Sequence, residues 1–172
     1  MAERIILKAR IAGVDFANVI ESEADLDTIQ ESDWTAQPVT LRDDEISIVE
    51  GEPDESEVFS HENDAPEDYD VAGTGVTAVG SFIKATFAEM ATLMGGEATT
   101  VGSKPAYLHS SAKKVIETAI RFRLKNGGAI IIPYAKGGVQ FNANAGYDGV
   151  MKFPFRFRAL AQKDWGVDLV VI

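Results

Sequence analysis

The sequence predicts an α+β protein that is mainly β: an antiparallel sandwich or barrel with one short flanking α-helix and a long acidic hairpin loop. Three observations lead there. Apolar and polar residues alternate with period two over several stretches, which is the signature of half-buried strands. Turn-forming Gly, Asn, Asp and Pro clusters separate those stretches at hairpin spacing. Only one segment carries both the start signal and the periodicity of a helix.

The first alternation is Arg4 to Ile11, where Ile5, Leu7, Ala9 and Ile11 oppose Arg4, Lys8 and Arg10. Residues 21–34 are acidic and broken, and read as a loop or variable arm with a short helical turn, Trp34 anchoring its return to the core. A second β region starts at Val39, with Ile46 and Ile48 set among Glu45, Ser47 and Val49, and Glu50-Gly51-Glu52-Pro53 interrupts it. Val58 and Phe59 precede His61-Glu62-Asn63-Asp64-Ala65-Pro66. From Asp43 to Asp70 there are 13 acids and no Lys or Arg, which marks an extended acidic loop over 43–70. Such a segment is solvated when alone and orders on a partner.

Val71 to Ile83 resumes a strand pattern through Val76, Val79 and Phe82. Thr86-Phe87-Ala88-Glu89 is a capping box, Thr at the N-cap and Glu three residues on, and Phe87, Met90, Ala91 and Met94 follow at helical spacing before Gly95-Gly96. That stripe is expected to pack on a sheet. The last third is β throughout. Thr118, Ile120, Phe122 and Leu124 oppose Arg121, Arg123 and Lys125, and Asn126-Gly127-Gly128 turns the chain into Ala129–Tyr134, with Pro133 near the strand's end. A short strand, Val139–Asn142, comes next. Phe153, Phe155, Phe157 and Ala159 then oppose Lys152, Pro154, Arg156 and Arg158, and Asp168–Ile172 closes the chain.

A chain of 172 residues suits a single domain able to bury a core. It contains no cysteine, which excludes disulfides, thiolate metal sites and a thiol nucleophile. No apolar run approaches the roughly 20 residues a bilayer span requires, and no signal-peptide pattern opens the chain, so a soluble protein without membrane insertion is expected. The net charge of −11 is unevenly held. Residues 1–70 carry 21 acids and 4 bases, whereas 71–172 carry 6 acids and 12 bases. That asymmetry points to a partner or to self-association, and the overall acidity opposes nonspecific gripping of nucleic acid.

Signals for chemistry are sparse. The two histidines, His61 and His109, stand in loops, and His109-Ser110-Ser111 lacks a nucleophile-elbow context. There is no P-loop, dinucleotide fingerprint or zincin motif. Asn63 to Asp70 offers oxygen ligands, but Pro66 interrupts and the EF-hand spacing is missing. The expectation is no enzyme activity, no cofactor and no metal. The contrast of a long anionic loop with strands bearing Arg121, Arg123, Lys125, Lys152, Arg156 and Arg158 suggests head-to-tail contact between copies, which makes rings or filaments.

Segment order supplies a resemblance. The first strand followed by Glu50-Gly51-Glu52-Pro53 and Ser60-His61-Glu62-Asn63-Asp64-Ala65-Pro66 resembles the long acidic hairpin loop of phage tail tube proteins, the major tail proteins of a superfamily shared with contractile-injection and type VI secretion tubes. The strand ending at Ile83, the helix Thr86–Met94 and Gly95-Gly96 are similar to that family's strand–helix–glycine segment, and Ala119–Leu124, Ile130–Pro133, Val139–Asn142 and Phe153–Leu160 to its closing strands. Glu21–Trp34 has no counterpart.

The resemblance implies a structural virion protein. Its copies form rings, usually hexamers, stacked into a tube that DNA transits to the host without specific binding. It also implies assembly in the bacterial host cytoplasm and contacts with other tail proteins such as the tape measure, the terminator and the baseplate or tip. The inter-ring loop then maps to Glu50, Glu52, Asp54, Glu55, Glu57, Glu62, Asp64, Glu67, Asp68 and Asp70, and its basic complement to the six cations named above. The competing reading is a non-catalytic β-sandwich that binds a glycan or a cation.

Overall fold

The computed structural model describes residues 10–42, 45–59, 66–143, 149–162 and 164–172. In chain order the elements are β1 (Ile11–Ala17), α1 (Glu23–Thr28), a 3-10 turn (Glu31–Asp33), β2 (Thr35–Ala36), β3 (Ser47–Glu50), β4 (Asp54–Phe59), β5 (Pro66–Ala72), β6 (Val76–Phe82), α2 (Phe87–Met94), β7 (Glu97–Val101), β8 (Lys104–Leu108), β9 (Ile116–Leu124), β10 (Ala129–Val139), β11 (Phe153–Ala159) and β12 (Val170–Val171). The protein is mainly β, as the alternation predicts, and every strand pairing is antiparallel. The strand expected over Arg4–Ile11 lies outside the described residues except for Arg10 and Ile11, and β1 begins where it ends.

One eight-stranded sheet runs β2-β1-β9-β10-β11-β6-β3, with β12 also pairing β10. It is strongly curled. Three strands separate β1 from β6, which in a flat sheet would hold them about 19 Å apart. Yet Phe16 on β1 meets Phe82 on β6 edge-on at 6.5 Å, and Phe157 on β11 at 5.5 Å. Residues 37–41 cross the gap between the sheet's margins. Gln37 N–H donates to the Val14 carbonyl on one side, and Leu41 N–H to the Ser81 carbonyl on the other. These are isolated bonds rather than a ladder, so the barrel is not closed.

The concave face encloses the main core of Val14, Phe82, Ile120, Phe122, Ile132, Phe153, Phe155 and Phe157, with Met90, Leu93 and Met94 of α2 packed onto it. The capping box forms as read: Thr86 Oγ1 accepts from Glu89 N–H, and a Glu89 carboxylate oxygen accepts from Thr86 N–H at 2.7 Å. Gly95 at φ 79° and Gly96 at φ 92° end the helix in a conformation that side-chain-bearing residues resist. The buried stripe differs in one respect: Phe87 stays 43% exposed and Leu93 takes its place. Thr86→Ala is expected to cost about 1 kcal/mol by removing the cap, measured as a shift in the denaturant midpoint.

One expectation is corrected. Ala129–Tyr134 and Val139–Asn142 do not form separate strands; β10 runs from Ala129 to Val139 and passes through Pro133 at an irregularity between Ile132 and Ala135. Proline is accommodated mid-strand because its missing donor coincides with that break in the ladder. Its carbonyl still accepts from Ile20 N–H. The break also lets one edge of β10 pair β12 at Ile130 and Ile131 and then β11 from Ala135 onward. The β7–β8 hairpin was not foreseen in the sequence. It turns on Gly102 and Ser103, both at positive φ, as a two-residue hairpin loop requires.

Candidate functional site

The acidic loop is a ribbon. Strands β4 and β5 pair only with each other, and neither packs as a layer on another helix or strand among the described residues. Its root is fixed to the body by Gly51 N–H donating to the Gly75 carbonyl and Thr74 Oγ1 donating to the Glu52 carbonyl. A Cβ at Gly51 would come within 2.1 Å of Thr74 Oγ1, so this close approach needs glycine. An isolated two-stranded ribbon is marginal in water.

Its register spreads the charge. Asp54 stands opposite Ala72, Glu55 opposite Val71, Ser56 opposite Asp70, Glu57 opposite Tyr69 and Val58 opposite Asp68. No acid directly opposes another in these pairs, which avoids the most repulsive arrangement available to two anionic strands. Asp54, Glu55, Glu57, Asp68 and Asp70 are exposed, and Val58 lies among them 56% exposed. Glu67 belongs to β5, Glu50 ends β3, and Glu52 is exposed in the link between β3 and β4. Glu62 and Asp64 lie outside the described residues.

The six expected cations are not one surface. Arg121 and Arg123 face the sheet's convex side, where residues 20–34 cover Arg121 and leave Arg123 exposed. Asp15, only 2% exposed, is ion-paired with both: Arg121 Nη2 at 2.7 Å and Arg123 Nε at 2.8 Å share one carboxylate oxygen, which also accepts from Arg121 Nε. Arg121 also makes a two-pronged pair with Glu31, at 2.6 and 2.7 Å, and lies 4.6 Å from the centre of a Trp34 ring. Hydrogen bonding by the Arg121 guanidinium holds the Glu31 carboxyl below its ordinary value. Arg121 is thus half-buried and engaged within its own chain, whereas Arg123 pairs with Asp15 and stays exposed.

Residues 21–34, expected as a variable arm, form the cover itself. Leu26, Ile29 and Trp34 pack with Trp165 and Val170 over a second cluster of Ile20, Ala119 and Ile131. Asp15 is the residue the sequence reading missed. Its signal was available: an acid between Val14 and Phe16 in an apolar stretch, with arginines two apart on a later strand.

The other candidates lie elsewhere. Lys125 is exposed at the β9–β10 turn. Lys152 bridges to Asn142 through the backbone before β11. Arg158 Nη2 donates to the Thr74 carbonyl at the ribbon root. Arg156 is exposed on the convex face of β11, opposite Val79 of β6 and Gly138 of β10. Nearby, Lys136 is bound to Glu117 at 2.6 Å, and that bond, with one from the Tyr134 hydroxyl, lowers the Glu117 pKa. This half of the convex face has no covering layer among the described residues, and Val49, Val79 and Val115 are 55%, 41% and 56% exposed there.

His109 has a structural engagement. The Tyr107 hydroxyl donates to the Gly95 carbonyl at 2.6 Å and lies 2.9 Å from His109 Nδ1. The hydroxyl's one proton is committed, so Nδ1 is the donor to the tyrosine oxygen. Ser110 Oγ accepts from Ala112 N–H. The tyrosine thus ties β8 to the end of α2, and the imidazole braces that tyrosine.

No protein-family model matches the chain, and no curated protein matches it. Among the described residues no helix is long and apolar enough to cross a membrane, and no cluster of three or more His, Asp or Glu side chains is placed to hold a metal ion.

Proposed function

We propose that this chain is a structural subunit that self-assembles into rings, and that the rings stack into a tube of the phage tail kind through which DNA passes. The observation that carries this reading is the β4–β5 ribbon: seven-residue β5 and six-residue β4 form an anionic arm with no packed layer beneath it among the described residues. An arm of this composition gains its packing from another molecule. The sheet supports the same reading. It is curled, flanked by one amphipathic helix, and ends at the four-residue β3, whose only strand partner among the described residues is β6. Such a margin is a template for pairing with a neighbouring copy, and ring closure removes the hazard of leaving it open.

Negative-stain electron microscopy of the purified full chain, across concentration and salt, tests the proposal. Rings with a central hole, or tubes of stacked rings, are expected at high concentration. Uniform small particles at every concentration and salt would overturn it and favour the binding-module reading.

A further inference from the structure

The acidic ribbon continues the β3–β6 hairpin. Glu50 stands opposite Val76 at the end of the β3–β6 ladder, and Asp54 opposite Ala72 at the start of the β4–β5 ladder. Three residues intervene on each strand, so the two ladders share one register, in which Gly51 falls opposite Gly75, Glu52 opposite Thr74 and Pro53 opposite Gly73. One long hairpin is therefore interrupted at these positions, and the residues there account for it. Gly51 N–H still donates to the Gly75 carbonyl. The ladder next needs a donor two residues on, at Pro53, which has no N–H. Gly75 holds φ at 75°, outside strand geometry, and a Cβ added at Gly73 or Gly75 would meet nothing.

Two side chains span the interruption. Arg158, exposed on β11, donates from Nη2 to the Thr74 carbonyl, and Thr74 Oγ1 donates to the Glu52 carbonyl on the other strand. The guanidinium thus fastens the sheet to one connecting strand and, through Thr74, to the other. Both bonds lie at the surface, where water competes for the same groups, so each is weak.

We propose that residues 51–53 and 73–75 form a joint about which the β4–β5 ribbon turns as a unit, and that Arg158 is the latch that sets its angle to the sheet. Intact ladders lie on either side of the joint, so rotation concentrates in the few residues between them. The latch is a property of the single chain. It goes beyond the assembly proposed above and does not depend on it.

The chain has no cysteine, so paired nitroxide labels go only where they are placed. Three full-length double variants are labelled. Ser56→Cys with Lys125→Cys spans from the ribbon to the β9–β10 turn, and Glu97→Cys with Lys125→Cys stays outside the ribbon. Ser56→Cys with Asp70→Cys occupies opposite positions within it. All four sites are exposed, so the fold is retained. Pulsed dipolar spin resonance reads the two long distances, and dipolar line broadening reads the short one. The Ser56–Lys125 distances are expected to form one narrow population, which Arg158→Met or Thr74→Val widens at least about twofold. The Glu97–Lys125 distances and the Ser56–Asp70 broadening should stay as they are. Equal Ser56–Lys125 widths with and without the substitutions overturn the latch. Loss of the Ser56–Asp70 broadening overturns the joint, because the ribbon then unpairs instead of turning.

Discussion

Phe82→Ala is expected to lower stability by about 4 kcal/mol, the largest effect of any single truncation considered for this fold. The ring is fully buried and sits where the curl of the sheet closes on itself, touching Phe16 of β1 at 6.5 Å and Phe155 of β11 at 4.6 Å between ring centres. Its loss removes both the transfer free energy of the ring and contacts between strands far apart in the sheet. The surrounding aromatics are held by their own ladders and cannot collapse into the space. For a chain of this length such a loss lowers the melting temperature by about 8–16 °C. The comparison variant is Phe141→Ala, whose side chain is 44% exposed and whose loss should cost under about 1 kcal/mol. Denaturant melts with unchanged slope would verify both; a Phe82→Ala loss no larger than that of Phe141→Ala would show that the curl is maintained elsewhere.

Arg121→Met is expected to cost about 3 kcal/mol. The arginine satisfies buried Asp15 and fastens the cover of residues 20–34 through Glu31 and Trp34. Arg123 remains on Asp15 in the variant, which keeps the loss below that of an abandoned buried charge. Adding Asp15→Asn to Arg121→Met should recover part of the loss, because the uncompensated anion is then gone. A non-additive pair of this sign in a double-mutant cycle confirms the coupling. The pH dependence has a defined direction. Arg121 lowers the Glu31 pKa in the folded state, so this contribution is fully present above the ordinary carboxylate value of 4.5 and is lost as pH falls through the lower folded value. Arg121→Met should remove that part of the acid limb and leave stability near neutral pH otherwise flat.

These two sites also show what the sequence could convey. The helix at Thr86–Met94 was legible because its start, periodicity and stop are local signals that agree. The alternations along β9 and β11 correctly separated core-facing aromatics from convex-facing bases. Period two assigns a face, however, and does not say what lies over it. Arg121 and Arg123 looked like Arg156 in the sequence; Asp15, about a hundred positions earlier, pairs with both, and the return of residues 20–34 covers Arg121. The β7–β8 hairpin escaped for a different reason: its strands are mostly exposed, without a clean apolar alternation, and its Gly102-Ser103 turn is a weaker marker than Asn-Gly. Pro133 read as a strand end because the ladder break that admits it is set by β9 and β12, not by its neighbours in sequence.

The charge pattern of the ribbon has a bearing on alignment fidelity. Repulsion in an all-anionic hairpin is usually counted only as a loss, but here it discriminates between registers. In the observed pairing Glu55 faces Val71 and Glu57 faces Tyr69. Sliding β4 by one position would set Glu55 against Asp70 and Glu57 against Asp68; sliding it by two would set Asp54 against Asp70. Each direct opposition of like charges is unfavourable by roughly 0.2–1 kcal/mol. The carboxylates therefore proofread the hairpin, rejecting misaligned forms that a ribbon without a core face cannot reject by burial. That proofreading weakens as salt screens the charges or acid neutralises them, so the correct register is singled out most sharply at low salt.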